Sequence, residues 1–316
     1  MIVTSSEKGP WSCRLLNRTD FSYEKYKWQP LNCDIPESNR TAFLKKIKNK
    51  TIAFFGDSLG RQQFQSLMCM VSGGDESSEV IDVADEYGLN GSVYRFSDTN
   101  TTILYQWSST LTDSEPINMT TQDSTTPTTF NALYLDRPPS TLSTLIDRFD
   151  VVVLNTGHHW NHGKFRVNRW VSYVNGTKLE PEAELGRIEN AKNFKVRSIV
   201  KWLDEQIRQR PGLKGFFRTI SPRHFVDGDW NTGGNCKNTV PLSRGSEVLE
   251  EKSRDGGVED AVRGTRVKML DITAISELRD EAHIARGFRN SGGYDCLHWC
   301  LPGVPDTWNE LLIAQI

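Results

Sequence analysis

A short apolar run that ends in a glycine, an acid and a serine constrains the fold more than any other feature. Residues 52–55 read Ile-Ala-Phe-Phe and are followed directly by Gly56, Asp57 and Ser58. From 61 to 71, apolar residues recur at the three- and four-residue spacing of a helix. The pattern predicts a buried strand, a sharp turn and a helix. It places the serine hydroxyl at the helix N-terminus, where negative charge is favoured.

Further strand and helix patterns alternate along the chain. A buried strand is expected at 149–154, a helix with one apolar face at 189–210, and strands at 215–220 and 267–272. A short helix with a proline in its first turn, at 305–313, closes the chain. Strands that alternate with helices predict an α/β fold with a parallel sheet.

Residues 72–148 differ in composition from the rest of the chain. Ser, Thr, Asp, Asn and Gly dominate there, and only short strand-like pieces occur, such as 92–96 and 102–107. We therefore expect a loop-rich polar insertion that contains a few antiparallel strands.

A second motif near the C-terminus supplies a base and an acid. Asp295 and His298 are three residues apart, so both side chains can lie on one face of a turn. A serine hydroxyl needs an imidazole to take its proton and a carboxylate to hold that imidazole in the useful tautomer. The two motifs together predict a catalytic triad of Ser58, His298 and Asp295.

Candidates for binding an oxyanion or a substrate lie near this serine and after the strand at 149–154. Backbone N–H groups at a helix N-terminus can stabilise an oxyanion, and parallel sheets bind ligands at the C-terminal ends of their strands. Trp160, Trp230 and Trp299 adjoin polar motifs, where an aromatic face can stack on a sugar ring or belong to the core. The candidate residues are Gly56, Asp57, Leu59, Arg61, Asn155, Gly157, Trp160 and Trp299.

Each of these assignments has a simpler alternative. Ser58 could be an ordinary helix cap, and His298 could be a partly buried structural histidine. Arg61 and Asn155 could cap or bridge other groups instead of contacting a substrate. We do not assign the catalytic base to the three neighbouring histidines, His158, His159 and His162.

Composition favours a protein of the secretory pathway and argues against nucleic-acid binding. Six cysteines suit an oxidising compartment, whereas a formal net charge of −2 gives no polyanion-binding signature. No run of about 18 apolar residues occurs, so we expect no transmembrane segment in this chain. Asn-X-Ser/Thr glycosylation sequons are also frequent, with chance occurrence as the alternative. They begin at Asn17, Asn39, Asn49, Asn90, Asn100, Asn118 and Asn175.

The cysteines that flank His298 leave two interpretations open. Cys296 and Cys300 could bind zinc together with His298, and Cys236 would be the next ligand, since structural zinc needs four. Alternatively, they form disulfides to distant segments, each stabilising the fold by roughly 4 to 5 kcal/mol on chain-entropy grounds. Disulfides agree better with the sequons and would fix the loop that carries the base. We therefore expect disulfides and no metal.

These motifs resemble those of the plant trichome birefringence-like family. Members of that family carry a Gly-Asp-Ser block and a C-terminal Asp-Cys-X-His-Trp-Cys-Leu-Pro-Gly block, which runs from 295 to 303 here and continues to match up to 310. Further matches lie at 28–33, 155–158 and 228–236. The resemblance covers essentially the whole chain from about Trp11 onward.

The resemblance implies an SGNH-hydrolase-like sandwich with a central parallel sheet. It places a PC-esterase domain at 50–314 and a partial N-terminal segment of the family, which contains cysteines, at 10–36. It also implies O-acetylation of cell-wall polysaccharides on the lumenal side of the Golgi apparatus. Acetyl-CoA or another acetyl carrier would be the donor, and no cofactor would remain bound.

Residue roles also follow from the resemblance. Ser58 would carry the acetyl group, His298 would act as the base and Asp295 would orient the imidazole. The resemblance also implies two disulfides, Cys13 with Cys300 and Cys236 with Cys296.

The N-terminal region departs from the pattern of the family. Relatives have a membrane anchor and further cysteines before the segment equivalent to Trp11, and this chain has neither. We therefore interpret the chain as an N-terminally truncated member in which Cys33 and Cys69 have lost their partners.

Three functions agree with the sequence. The first is an O-acetyltransferase and the second is an acetyl esterase that uses the same triad. They differ in whether the acyl-enzyme is shielded from water while an acceptor hydroxyl is held nearby. The third is a non-catalytic protein that binds and bridges pectin or another polysaccharide. Xylan, mannan, xyloglucan and pectin are all acetylated by relatives, and the sequence does not distinguish these acceptors.

Overall fold

The computed structural model describes residues 11–16, 18–29, 35, 39–73, 80–120, 126–242, 246–249, 253–286 and 293–316. Within these residues, strands and helices alternate as predicted. The strands are β1 (Thr51–Gly56), β2 (Val80–Asp82), β3 (Ser92–Phe96), β4 (Thr101–Trp107), β5 (Asp113–Met119), β6 (Thr128–Tyr134), β7 (Val151–Leu154), β8 (Trp170–Val174), β9 (Thr177–Lys178), β10 (Lys214–Arg218), β11 (Lys268–Leu270), β12 (His283–Arg286) and β13 (Tyr294–Trp299).

Helices connect most of these strands. They are α1 (Arg40–Lys46), α2 (Ser58–Ser72), α3 (Ala84–Tyr87), α4 (Ser140–Leu145), α5 (His162–Val167), α6 (Ile188–Gln209), α7 (Gly256–Val262), α8 (Thr273–Glu277) and α9 (Val304–Gln315). Short 3-10 turns lie at Ser22–Lys25, Ile146–Arg148, Glu184–Gly186, Ser246–Leu249 and Asp280–Ala282.

A seven-stranded sheet forms the centre of the fold. Its strand order is β11-β10-β7-β1-β4-β3-β2. The strands from β11 to β4 pair in parallel, whereas β3 and β2 complete one edge in antiparallel orientation. The predicted α/β fold with a central, mostly parallel sheet is therefore confirmed.

Helices cover both faces of this sheet, so the fold is a sandwich of three layers. On one face, α1, α2 and α9 contribute to the core, and on the other face α4, α6 and α7 do so. Ile52 and Phe54 of β1 point to the first core, and Ala53 and Phe55 point to the second. The strand reads as a continuous apolar run because both of its faces are buried.

The region 72–148 is not a loop-rich insertion throughout. β4 lies beside β1 in parallel and is therefore a strand of the central sheet. β5 and β6 instead join β8 and β9 in a separate four-stranded sheet. The sequence predicts the strand itself at 102–107 but not its place in the central sheet, where its first five positions are all buried. The domain boundaries at 10–36 and 50–314 stay a prediction.

Both expected disulfides are present, and they fasten the hairpin of β12 and β13. Cys13–Cys300 joins the N-terminal segment to the residue after β13, and Cys236–Cys296 joins a surface loop to the middle of β13. Thiols that form disulfides cannot ligate zinc, so the zinc interpretation is wrong.

Two other expectations concern the remaining cysteines and a membrane segment. Cys33 lies outside the described residues, so the loss of partners for Cys33 and Cys69 stays a prediction. Within the described residues, no helix combines the length and the apolar character that crossing a membrane requires.

Six of the seven glycosylation sequons have an exposed acceptor asparagine. Asn17 is outside the described residues, and the other six acceptor asparagines are all exposed. Glycosylation of these side chains would not disturb the core. The exposed acceptors are Asn39, Asn49, Asn90, Asn100, Asn118 and Asn175.

We expect removal of either disulfide to destabilise the fold, with the larger effect for the longer loop. The two bridges join residues 287 and 60 positions apart in sequence. Chain-entropy arithmetic gives upper values of roughly 5 to 6 and roughly 4 kcal/mol. Calorimetry should therefore find a lower thermal midpoint for Cys13→Ala/Cys300→Ala than for Cys236→Ala/Cys296→Ala. An equal or reversed order would contradict the loop-length argument.

Candidate active site

Ser58, His298 and Asp295 meet at the C-terminal ends of the central strands. Ser58 Oγ lies 2.7 Å from His298 Nε2, and His298 Nδ1 lies 2.8 Å from Asp295 Oδ2. The serine begins α2, and the other two residues lie on β13, with 240 positions between Ser58 and His298. Because the carboxylate accepts the Nδ1 hydrogen, Nε2 is left to accept the hydroxyl proton. This geometry suits activation of a serine nucleophile.

Asp295 is held by backbone groups of its own strand, β13. Its Oδ1 accepts hydrogen bonds from the backbone N–H groups of Leu297 at 3.2 Å and His298 at 3.0 Å, which leaves Oδ2 for the imidazole. Burial alone would raise the pKa of Asp295, but the hydrogen bonds from His298 and Leu297 and the His298 charge lower this pKa to about 2. The carboxylate is therefore ionised throughout the mildly acidic and neutral range.

Asp57 anchors the turn that presents Ser58. Its Oδ1 accepts hydrogen bonds from the N–H groups of Leu59 at 3.0 Å and Gly60 at 3.4 Å, and from Asn155 Nδ2 at 2.7 Å. The carboxylate thus caps α2 and ties it to the residue that follows β7. Because its N–H is occupied and its side chain is buried, Leu59 does not fit the predicted role in oxyanion binding. Asp57 is likewise buried and acts as a cap.

Two glycines make room for the Asn155 amide. A Cβ atom at Gly56 would lie 1.9 Å from Asn155 Oδ1, and a Cβ atom at Gly60 would lie 2.2 Å from the same oxygen. Any side chain at either position would therefore push the amide away from Asp57. Packing thus accounts for Gly56 without a contact to substrate.

Gln62 fixes the position of α2 relative to β13. Its Nε2 donates to the Trp299 carbonyl oxygen at 2.7 Å, and its Oε1 accepts from the Trp299 N–H at 3.1 Å. Gln62 lies one helical turn after Ser58, and Trp299 follows His298 directly. The two hydrogen bonds therefore bring nucleophile and base opposite each other. Gln62 was missed from the sequence, where its only signal is a polar residue on the apolar side of a helix.

The tryptophans that adjoin the motifs have different surroundings. Trp299 is fully buried, and its Nε1 donates to Ser221 Oγ at 2.8 Å. Trp160 is 8% exposed, and its Nε1 donates to Thr156 Oγ1 at 2.8 Å. Neither ring offers a face to a sugar, so the core alternative applies to both. Trp230 is 69% exposed.

Trp107 is an exposed aromatic residue next to the nucleophile that the sequence did not single out. It ends β4, pairs in register with Gly56 at the end of β1, and is 48% exposed. Its ring contacts His159 with 5.4 Å between centroids and an interplanar angle of 85°. The sequence predicts a strand at 102–107 but not its pairing with β1, and this pairing is what brings Trp107 beside Gly56.

Two arginines place positive charge around the start of α2. Arg218 is fully buried at the end of β10, where Nη1 donates to the Leu59 carbonyl oxygen at 3.3 Å and the guanidinium lies over Trp308. Burial lowers the pKa of Arg218 to about 10, and the Asp57 charge acts in the opposite direction. Arg61 is exposed, and its guanidinium has no hydrogen bond or ion pair with another described residue.

The N-terminal segment covers the catalytic imidazole. Trp11 stacks on His298 with 4.6 Å between ring centroids and 27° between the planes. The Trp11 carbonyl oxygen accepts a hydrogen bond from the Leu301 N–H at 3.0 Å, and the Cys13–Cys300 disulfide follows directly. One face of the base is therefore packed by a segment from the other end of the chain.

Gly157 and His158, which follow β7, have structural roles. A Cβ atom at Gly157 would lie 2.8 Å from Ile220 Cδ1, so close packing accounts for this glycine. His158 Nε2 lies 2.7 Å from the Ser221 carbonyl oxygen and donates to it, and burial lowers the pKa of His158. In the described part of the chain, Ser58 Oγ hydrogen-bonds to His298 and to none of the three neighbouring histidines. Among the described residues, no group of three or more His, Cys, Asp or Glu residues could hold a metal ion.

We expect Asp295→Asn to disable the nucleophile while the fold persists. The side-chain amide introduced at position 295 donates to His298 Nδ1, so the imidazole carries its proton on Nε2. Nε2 then cannot accept the proton of the Ser58 hydroxyl. Labelling of Ser58 by a fluorophosphonate should slow by on the order of 10³- to 10⁴-fold, as followed by intact-protein mass spectrometry. Asp229→Asn, on an exposed loop, is the matched control. Labelling of Asp295→Asn at the rate of the control would contradict the triad.

We expect Gln62→Met to separate α2 from β13 at similar side-chain volume. The variant leaves the buried N–H and carbonyl groups of Trp299 unpaired, which costs roughly 2 to 4 kcal/mol. Both the free energy of unfolding in urea and the rate of fluorophosphonate labelling at Ser58 should fall. Gln65→Met is the control, because the buried Gln65 Oε1 has no hydrogen-bond partner among the described residues. Equal behaviour of the two variants would argue against the docking role.

Comparisons with known proteins identify the family of this chain. Residues 35–315 match PC-Esterase, described as a GDSL/SGNH-like acyl-esterase family found in Pmr5 and Cas1p. The chain is 57% identical over 329 residues to Protein trichome birefringence-like 14 of Arabidopsis thaliana, an alignment that covers 97% of this chain and 79% of that protein.

Two other relatives extend the comparison. Protein trichome birefringence-like 15 of Arabidopsis thaliana is 53% identical over 97% of this chain and 64% of its own length. Xyloglucan O-acetyltransferase 1 of Populus trichocarpa is 29% identical over 96% of this chain and 74% of its own length. The chain therefore belongs to the PC-esterase family and, within it, to the trichome birefringence-like proteins.

Proposed function

We propose that this protein transfers acetyl groups to hydroxyl groups of a plant cell-wall polysaccharide through an acetyl-serine intermediate on Ser58. The observation that carries the proposal is the hydrogen-bonded chain from Ser58 Oγ through His298 to Asp295. Membership of an acyl-esterase family supports acyl chemistry, and a relative named as a xyloglucan O-acetyltransferase supports a polysaccharide acceptor.

In the first half of the proposed reaction, the serine takes the acetyl group from the donor. His298 Nε2 accepts the hydroxyl proton as Ser58 Oγ forms a bond to the acetyl carbonyl carbon. The bond from that carbon to the donor's leaving atom then breaks, and His298 returns the proton to the leaving group. Asp295 stabilises the imidazolium that exists between the two proton transfers.

The second half repeats these steps with a sugar hydroxyl. His298 takes the proton of the acceptor hydroxyl, whose oxygen attacks the acetyl carbon. The bond to Ser58 Oγ breaks, and the serine regains a proton from His298. Water in place of the sugar would give hydrolysis through the same steps, so exclusion of water decides between transferase and esterase.

The negative oxygen of each tetrahedral intermediate needs donors. Asp57 already accepts from the N–H groups of Leu59 and Gly60. Among the described residues, the Ser58 N–H has no acceptor, and Asn155 Nδ2 has a second hydrogen besides the one given to Asp57. We assign the oxyanion to these two donors. The exposed Arg61 is proposed to contact an anionic part of the donor, such as the phosphates of acetyl-CoA.

The Golgi lumen is the proposed site of action. Disulfides form and persist in oxidising compartments, and this chain has two that fasten the hairpin of the catalytic base. Six exposed sequon asparagines are compatible with N-glycosylation in the same pathway.

We expect Ser58→Ala to abolish acetyl transfer. The purified protein is incubated with acetyl-CoA or p-nitrophenyl acetate and with oligomers of xylan, mannan, xyloglucan and pectin. Mass spectrometry then follows acetylated glycan, free acetate and the acetylated peptide that contains Ser58. The variant should lose roughly 10³- to 10⁶-fold in rate and all acetylation at Ser58. Ser143→Ala, at an exposed site in α4, should behave as the unmodified protein.

Other outcomes would assign another function. Free acetate without acetylated glycan would favour an acetyl esterase over a transferase. Unchanged glycan binding together with no turnover of any donor would favour the polysaccharide-binding alternative. Full transfer activity in Ser58→Ala would overturn the proposed intermediate.

A further inference from the structure

Trp107 lies at the same end of the central sheet as Ser58. It pairs in register with Gly56, and Ser58 follows two residues later. Neighbouring strands are about 4.8 Å apart, and consecutive Cα atoms are about 3.8 Å apart. The Cα atoms of Trp107 and Ser58 are thus separated by at most about 12 Å. That span is comparable to two sugar residues of a glycan chain.

At least one face of the indole is left open by its neighbour. The Trp107 and His159 rings are nearly perpendicular, so the contact joins the edge of one ring to a face of the other. If the edge of His159 meets a face of the indole, His159 covers that one face. If instead the edge of the indole meets a face of His159, both indole faces stay uncovered by His159. The 48% exposure of Trp107 agrees with an open face.

The residue that supports Trp107 also belongs to the surroundings of the triad. Burial lowers the pKa of His159, while the Asp57 charge raises this pKa and the His298 charge lowers it. Both charges therefore act on the ring that holds Trp107 in place. His159 also contacts Trp170 of β8, with 6.5 Å between ring centroids, which links the pair to the smaller sheet.

We propose that Trp107, supported edge to face by His159, forms a subsite on which a neutral pyranose ring of the acceptor glycan stacks. The proposal rests on the proposed function and adds the position of the acceptor. The C–H bonds of a pyranose face pack well on an aromatic face, and such a platform needs no charge. Ligand sites in open parallel sheets lie at this end of the strands. A ring held there would present the hydroxyl of a nearby residue of the same chain to acetyl-Ser58.

Binding of glycans in the absence of chemistry tests the subsite. In Ser58→Ala protein, isothermal calorimetry measures binding of a xyloglucan heptasaccharide, of xylohexaose and, separately, of coenzyme A. Adding Trp107→Ala should weaken the affinity for at least one oligosaccharide by about tenfold, a loss of about 1.4 kcal/mol, and leave coenzyme A unaffected. Trp107→Phe, which keeps an aromatic face, should restore part of that affinity. Tyr26→Ala, at another exposed aromatic residue, should change nothing.

Several results would overturn the subsite. They are unchanged oligosaccharide affinity in Trp107→Ala, an equal loss in Tyr26→Ala, weaker binding of coenzyme A alone, and no binding of either oligosaccharide at millimolar concentration. Circular dichroism verifies that each variant is folded, and Trp107→Phe tests the subsite if the alanine variant is not. Because Ser58 is absent from this assay, a failure of the acetyl-serine mechanism leaves the binding result intact, and the reverse also holds.

Discussion

The two hydrogen bonds between the Gln62 amide and the Trp299 backbone set the geometry on which the candidate site depends. Residues from opposite ends of the chain must approach within 2.7 Å for a proton to pass from Ser58 to His298. A helix and a hairpin that only packed through apolar contacts could slide, because such contacts have little directionality. A buried amide that pairs with both backbone polar groups of one residue favours a single register. Ser58 lies one helical turn before Gln62, and His298 directly precedes Trp299.

A buried carboxylate performs the corresponding task on the other side of the serine. Asp57 joins the ends of β1 and β7 to the start of α2 through three hydrogen bonds to one oxygen. An isolated buried charge would be costly, and the buried Arg218 supplies a counter-charge near the same turn. The serine is thus held between two polar contacts, each of which joins different elements of the fold. Such preorganisation is what a nucleophile needs before substrate arrives.

The sequence predicts the parts of this site that depend on local pattern and misses those that depend on tertiary pairing. The strand, turn and helix around Ser58 follow from apolar periodicity, and the approach of Asp295 to His298 follows from their spacing. Trp107 was missed because the sequence predicts the strand at 102–107 but not its parallel pairing with β1, which brings Trp107 beside Gly56. For Trp299 the sequence left both alternatives open, because an aromatic residue beside a motif looks the same in sequence whether it faces solvent or the core.

The stacking of Trp11 on His298 makes the N-terminal segment part of the site. The His298 imidazole is hydrogen-bonded at both nitrogens, but it can still tilt about the line between these two nitrogens. The Trp11 ring packs against one face of the imidazole and opposes that tilt. The ring can act in this way only if its own backbone is fixed, which the hydrogen bond from Leu301 and the Cys13–Cys300 disulfide achieve. The Cys13–Cys300 disulfide therefore helps to fix the residue that packs on the base. This arrangement suits the oxidising compartment that we propose for the protein, because disulfides persist there.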